Sequence, residues 1–166
     1  MGALLKLTDA VLFLVFLVVA LAAPLLDAQT CLPATVFPDL LLEAKVWYSR
    51  EYGDYLFTEK PHFFVGLVWL ELLFQWPLAI VNLYGILASK RWFRITCLIY
   101  GVSLFTSMVA IMSEMVWSQK ASEDLLKLYF PFMGFGALAM LRGLVPAGRT
   151  TLDIGKRHTV GRKKRE

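Results

Sequence analysis

The chain has 166 residues, 58% of them hydrophobic and 18% charged, with a mean hydropathy of +0.60, values that exclude an ordinary soluble domain and point to a bilayer as solvent. The formal charge of +4 comes from 17 Lys and Arg against 13 Asp and Glu, but eight of the basic residues lie at or beyond Arg142. The body is therefore mildly acidic, the tail is basic, and no nucleic-acid partner is indicated. With Cys31 and Cys97 as the only cysteines there is no disulfide framework, and no CxxC or Cys/His cluster indicates zinc or redox chemistry, so neither a metal nor a cofactor is expected.

Crossing a hydrocarbon core about 30 Å thick takes about 20 residues of helix. Four stretches are long and apolar enough: 8–28, 62–87, 93–117 and 125–145. They predict an all-α integral membrane protein, a four-transmembrane-helix bundle over 1–145 followed by a basic tail over 146–166. The first stretch shares features with a cleaved signal peptide, since Lys6 precedes VLFLVFLVVALAAPLL and small residues follow. Its apolar run is longer than a typical signal core and only one basic residue precedes it, which favours a retained span.

The 29–61 loop is structured rather than linker-like. It holds Trp47, Tyr48, Tyr52, Tyr55 and Phe57, and VFPDLLLEAKVWY carries an apolar stripe at roughly helical spacing before a turn at Gly53. The expectation is a short amphipathic helix on the membrane surface, with a lid over the spans as the alternative. The next loop carries Lys90, Arg91 and Arg94 with no acid, whereas 29–61 sets five acids against Lys45, Arg50 and Lys60. Because Lys and Arg of short loops stay cytosolic, the second loop and both termini are assigned to the cytosol and 29–61 to the lumen or exterior. Cys31 and Cys97 then lie near opposite faces and do not pair.

Ionisable groups at the centre of a span cost about 2.5 to 3.5 kcal/mol on insertion scales, so each needs a partner or a cavity. Glu71 lies nine residues into the second span, about 13 Å deep at about 1.5 Å per residue. Regular helix would put Gln75 and Asn82 on its face. The third span carries a stripe of Ser103, Thr106, Ser107, Ala110, Ser113 and Glu114, for whose hydroxyls helix association is the plain reading. A carboxylate is a costly way to join helices, so Glu71 is expected to face a cavity. Its natural partner is Asp27, which taken alone reads as an interfacial residue at a helix end. Pro24 and Pro77 are expected to bend their helices and free carbonyls for polar contacts. If the two acids meet they would hold one proton between them. Such a pair takes a protonated amine, aided by aromatic rings, or serves as an acid/base catalyst; the residues alone leave both open.

The strings LLDAQTCLP, VWYSREYGDYL, WLELLFQWP, RWFRITCLIYGV, YFPF and MLR together resemble the EXPERA family, which includes the emopamil-binding sterol isomerase and a receptor branch. ELLFQWP is the most specific of them. The resemblance implies a ligand's ammonium at Asp27, with Glu71 hydrogen-bonded to that acid and Gln75, Tyr48, Tyr129 and Ser107 lining the same pocket. It also groups Asp54 with the site, although its place in the loop marks Asp54 as structural. Two positions depart from the family: Ser107 stands where the family has Thr, and Pro24 is nearer the acid than the family's first-helix proline. The implied function is binding of sterols or lipophilic amines from the bilayer, with a role in cholesterol homeostasis or trafficking, other sterol-handling membrane proteins as partners, and a homodimer. Sterol double-bond isomerisation by the same acids is the alternative. The isomerase's richer His and acid set is not evident, because His62 lies at the boundary of its span and Glu114 near the end of the third. A second alternative is a membrane assembly partner with no small ligand. Lys163 and Lys164, fourth and third from the end of the sequence, match a cytosolic dilysine retrieval signal and predict residence in the endoplasmic reticulum membrane.

Overall fold

Hydropathy dictates the architecture. In the computed structural model, which describes residues 2–145, the four apolar stretches form four long helical segments, Gly2–Thr30, His62–Leu87, Phe93–Ser118 and Glu123–Leu144. Lys163 and Lys164, and the whole of the 146–166 tail, lie outside the described residues. The first segment is helix α1 (Gly2–Leu25), which tightens into a 3-10 turn over Asp27–Thr30. The second is broken into α4 (His62–Leu70), a π turn (Glu71–Gln75) and α5 (Trp76–Leu87). The third and fourth are α6 (Phe93–Ser118) and α7 (Glu123–Leu144). Large apolar side chains such as Leu14, Leu73, Ile95, Val116 and Leu141 point outward, the arrangement of a bundle whose solvent is lipid.

Local chemistry sets the ends. Ser122 Oγ accepts from the Leu125 amide at 3.1 Å and Glu123 and Asp124 fill the first turn of α7, favourable at the positive end of a helix. α6 stops at Gln119 in the left-handed region. In the 29–61 loop, helix α2 (Asp39–Tyr52) ends on Gly53 with φ +63°, and Asp54 Oδ1 caps helix α3 (Tyr55–Glu59) through the Leu56 amide at 3.0 Å.

Both prolines act as their chemistry requires. Pro24 has no N–H for the Ala20 carbonyl four residues back. That carbonyl accepts instead from Trp76 Nε1 at 2.9 Å, joining the first and second spans. Pro77 follows the π turn, in which the Trp76 amide reaches back five residues to the Glu71 carbonyl.

The closest helix pair is α6 with α7, and glycine makes it possible. A Cβ on Gly101 would come within 2.5 Å of the Met140 nitrogen and 2.8 Å of the Gly136 oxygen, and one on Gly136 within 2.9 Å of the Phe105 nitrogen. Ala139 is buried in the same seam, while a Cβ on Gly134 would meet nothing. At the opposite end from the 29–61 loop, Arg142 of α7 holds Asp9 of α1 by two hydrogen bonds, 2.5 and 3.1 Å, and its guanidinium lies 5.3 Å from the Phe93 ring. Cys31 and Cys97 are both free thiols.

Gly101→Ala should destabilise the bundle by about 1 to 3 kcal/mol through overpacking, whereas Gly134→Ala should be neutral. Thermal unfolding of the detergent-purified variants checks this, and equal midpoints would refute the close-packed seam.

Candidate functional site

Beneath the 29–61 loop the spans enclose a cavity of about 410 Å³, within the range of about 300 to 1,000 Å³ typical of small-molecule sites. Most of its wall is apolar, from residues such as Val19, Leu67, Leu104, Ile111 and Phe132. The polar exceptions are Asp27, Lys45, Tyr48, Glu71, Gln75, Ser107 and Tyr129. Every site residue expected from the sequence is therefore on this wall apart from Asp54.

Asp27 opens the 3-10 turn that ends the first span, and Glu71 opens the π turn in the second. Both acids line the cavity, and among the described residues no N–H or hydroxyl group donates to either carboxyl group. The two acids share one chamber, as the pairing expected of them requires. Gln75 is buried and donates through Nε2 to Ser103 Oγ at 3.0 Å and Ser107 Oγ at 3.3 Å, which fixes the floor between the second and third spans. The π turn rotates the helix beyond it, so Asn82 is fully buried in the bundle but is not on the cavity wall. Of the third-span stripe, Ser103 and Ser107 face inward, while Thr106, Ala110 and Ser113 are exposed.

The 29–61 loop is a cover, contrary to the surface helix expected from its pattern. Ala44, Lys45, Trp47 and Tyr48 of α2 and Phe57 of α3 line the cavity, while Leu40 and Val46 point outward. Asp54 pins this cover. It is fully buried, and its Oδ2 accepts from Tyr129 of α7 at 2.7 Å and from Tyr48 of α2 at 3.0 Å. Asp54 thus stands behind the two cavity phenols and positions them. Burial and the Asp54 charge push the Tyr48 phenol well above its usual range, so it stays a donor. Further ties run from Tyr55 to Ser118 (3.0 Å), from Lys120 to Glu59 (2.7 Å) and from Lys60 to the Thr30 carbonyl (3.2 Å).

Val18, Leu26 and Trp47 line the cavity and are also substantially exposed, Trp47 at 61%. The mouth therefore opens sideways, on the flank of α1 and under the edge of α2. Lys45, Trp47 and Phe57 were not among the residues expected from sequence. The positions of Ala44, Lys45 and Tyr48 on one face of α2 were the available sign of an inward stripe.

These features define a class: a four-span α-helical membrane protein with a covered, mostly apolar cavity bearing two carboxyl groups. The profile of the EXPERA family (EXPanded EBP superfamily) matches residues 40–143, and the chain belongs to that family. It is similar to Sigma intracellular receptor 2 of Homo sapiens and of Macaca fascicularis, in each case 31% identical over 93 residues, covering 55% of this chain and 53% of the relative. The protein of that name from Xenopus tropicalis is 27% identical over 103 residues, 61% of this chain and 60% of the relative. The matched stretch thus spans a little over half the length of these relatives. Glu71, Gln75, Ser107 and Tyr129 fall inside the family match; Asp27 lies upstream of it.

Asp54→Ala would strip two phenols and a backbone amide of their acceptor, and hydrogen bonds to a charged group are worth about 1.5 to 3 kcal/mol each. It should lower stability by about 3 kcal/mol or more, while Asp27→Asn, which breaks no hydrogen bond, should leave it unchanged or raise it. Equal thermal midpoints for Asp54→Ala and the parent protein would refute the positioning role.

Proposed function

We propose that this chain is a sigma-2-receptor-like ligand-binding protein that takes sterols or lipophilic amines from the bilayer into the covered cavity. The observation that carries this is the placement of Asp27 and Glu71, with no N–H or hydroxyl group of the described residues donating to either, on the wall of an apolar chamber within the bundle. A carboxyl group so placed is costly unless something polar or cationic joins it. The sideways mouth supports entry from lipid, and Tyr48 and Tyr129 supply aromatic faces for a cation. Similarity to proteins named as intracellular receptors supports a binding role. The same reading puts the protein in the endoplasmic reticulum membrane, in keeping with its similarity to proteins named as intracellular receptors, with both termini cytosolic from the loop charges at Lys90, Arg91 and Arg94. It includes a regulatory role in sterol homeostasis or trafficking, a homodimer, and contact with other sterol-handling membrane proteins.

Isomerisation of a sterol double bond would draw on the same two carboxyl groups. The further histidine and acid are not at hand, since neither His62 nor Glu114 lines the cavity, and binding is therefore the preferred reading.

Saturable binding of a tritiated lipophilic amine to the purified protein should weaken at least thirtyfold, about 2 kcal/mol or more, in Asp27→Asn and in Glu71→Gln, with thermal midpoints preserved. Retained affinity in both would overturn the reading. Conversion of a sterol carrying a misplaced ring double bond would move isomerisation ahead of it.

A further inference from the structure

Lys45 is a charged residue of the cavity wall that the binding role above leaves unused. It projects from α2 with Nζ 3.0 Å from the Gln29 carbonyl and 5.4 Å from the centre of the Phe57 ring. Gln29 belongs to the same short turn, Asp27–Thr30, that carries Asp27. Lys60 reaches the next carbonyl, that of Thr30, yet does not line the cavity. Two ammonium groups therefore cap the carbonyl end of the first span, where the helix dipole favours positive charge, and only one of them looks inward.

The chamber consequently holds two carboxyl groups and one ammonium between mostly apolar walls, where charges are weakly screened and felt over several ångströms. Burial and the neighbouring Lys60 pull the Lys45 ammonium below the ordinary lysine range, and the Asp27 carboxylate acts in the opposite sense. Lys45 is hydrogen-bonded to the same short turn that carries Asp27, and both residues line the space a ligand would fill.

We propose that Lys45 is a built-in counter-cation for Asp27 and a specificity-determining residue of the cavity, setting it to prefer an uncharged, hydroxyl-bearing amphiphile over a lipophilic ammonium. This rests on the cavity reading above and adds to it the choice of head group. An ammonium arriving at Asp27 must share the carboxylate with Lys45 and bear the repulsion of a like charge nearby, which is worth about one order of magnitude or more in affinity. A hydroxyl bears no such penalty. It donates to a carboxylate or accepts from Lys45, which has three donors and uses one of them on Gln29 among the described residues. The Phe57 ring beneath Nζ helps hold the ammonium in place.

The test uses a matched pair of ligands, cholesterol and its 3-dimethylamino analogue, which share the ring system and tail and differ in head-group charge at pH 7. Affinities are read by competition against a fluorescent sterol on the full chain in nanodiscs. The parent protein should bind cholesterol the more tightly. Lys45→Met should shift the ratio of the two affinities about tenfold or more toward the amine. So should Lys45→Gln, which removes the charge but keeps a donor for the Gln29 carbonyl. Lys45→Arg and Lys60→Met should keep the parent ratio, and the shift should vanish when Asp27→Asn is added to Lys45→Met. A parent protein that prefers the amine, an unchanged ratio in both Lys45→Met and Lys45→Gln, or an equal shift in Lys60→Met would overturn the proposal and leave the cavity reading intact. Binding of neither ligand by any of these proteins would overturn the cavity reading, and this inference with it.

Discussion

A single buried carboxylate, Asp54, holds the functional end of this molecule together. It accepts hydrogen bonds from the Tyr48 phenol of α2, the Tyr129 phenol of α7 and the Leu56 amide of α3, three elements that also meet in one apolar cluster around Tyr52, Leu56 and Leu125. A charge removed from water is tolerable when several donors meet it, and Asp54 has three. Lifting α2 from the bundle would break the bond between Tyr48 and Asp54. The space beneath α2 is then a chamber rather than an open cleft, and a cover so anchored fixes the distance between the two aromatic walls.

The chamber also depends on defects in otherwise regular helices. Where Pro24 removes a backbone donor, the freed Ala20 carbonyl takes the Trp76 indole, so a potential weakness becomes the bond between the first two spans. One turn later the first span narrows to a 3-10 turn that presents Asp27. In the second span the π turn presents Glu71 and Gln75 together. π turns are often found at functional sites because one extra residue re-aims the side chains around it. Away from the chamber the packing is tight: α6 and α7 meet through glycine, and the Asp9–Arg142 pair closes the far end between α1 and α7.

The spans were legible because lipid imposes a length and a composition that few other sequences meet, and the helix bounds agreed to within a few residues except at the start of the first. Asp27 and Glu71 were legible for a related reason: a carboxylate inside a span carries a cost that calls for an explanation. Asn82 was misplaced because eleven residues make three turns of regular helix, and nothing in the composition of ELLFQ announces the turn that changes the register. The cover was misread because α2 is amphipathic in both senses, with Leu40 and Val46 on one side and Ala44 and Tyr48 on the other, and only tertiary contact decides which side faces the bundle. Lys45 was hidden for the same reason, since an exposed lysine on a surface helix and a lysine capping another helix look alike in sequence. The family resemblance drawn from ELLFQWP and its companion strings was sound at the level of membership.

The most direct measurement is an experimental structure of the full chain with a lipophilic amine bound. The head group should lie at hydrogen-bonding distance, about 2.7 to 3.2 Å, from the Asp27 carboxylate, with its apolar part among Val19, Ile111 and Phe132 and with α2 closed above it. A ligand seated on the outer, lipid-facing surface, or a cavity collapsed onto its own side chains with Asp27 turned toward water, would contradict this account of the site.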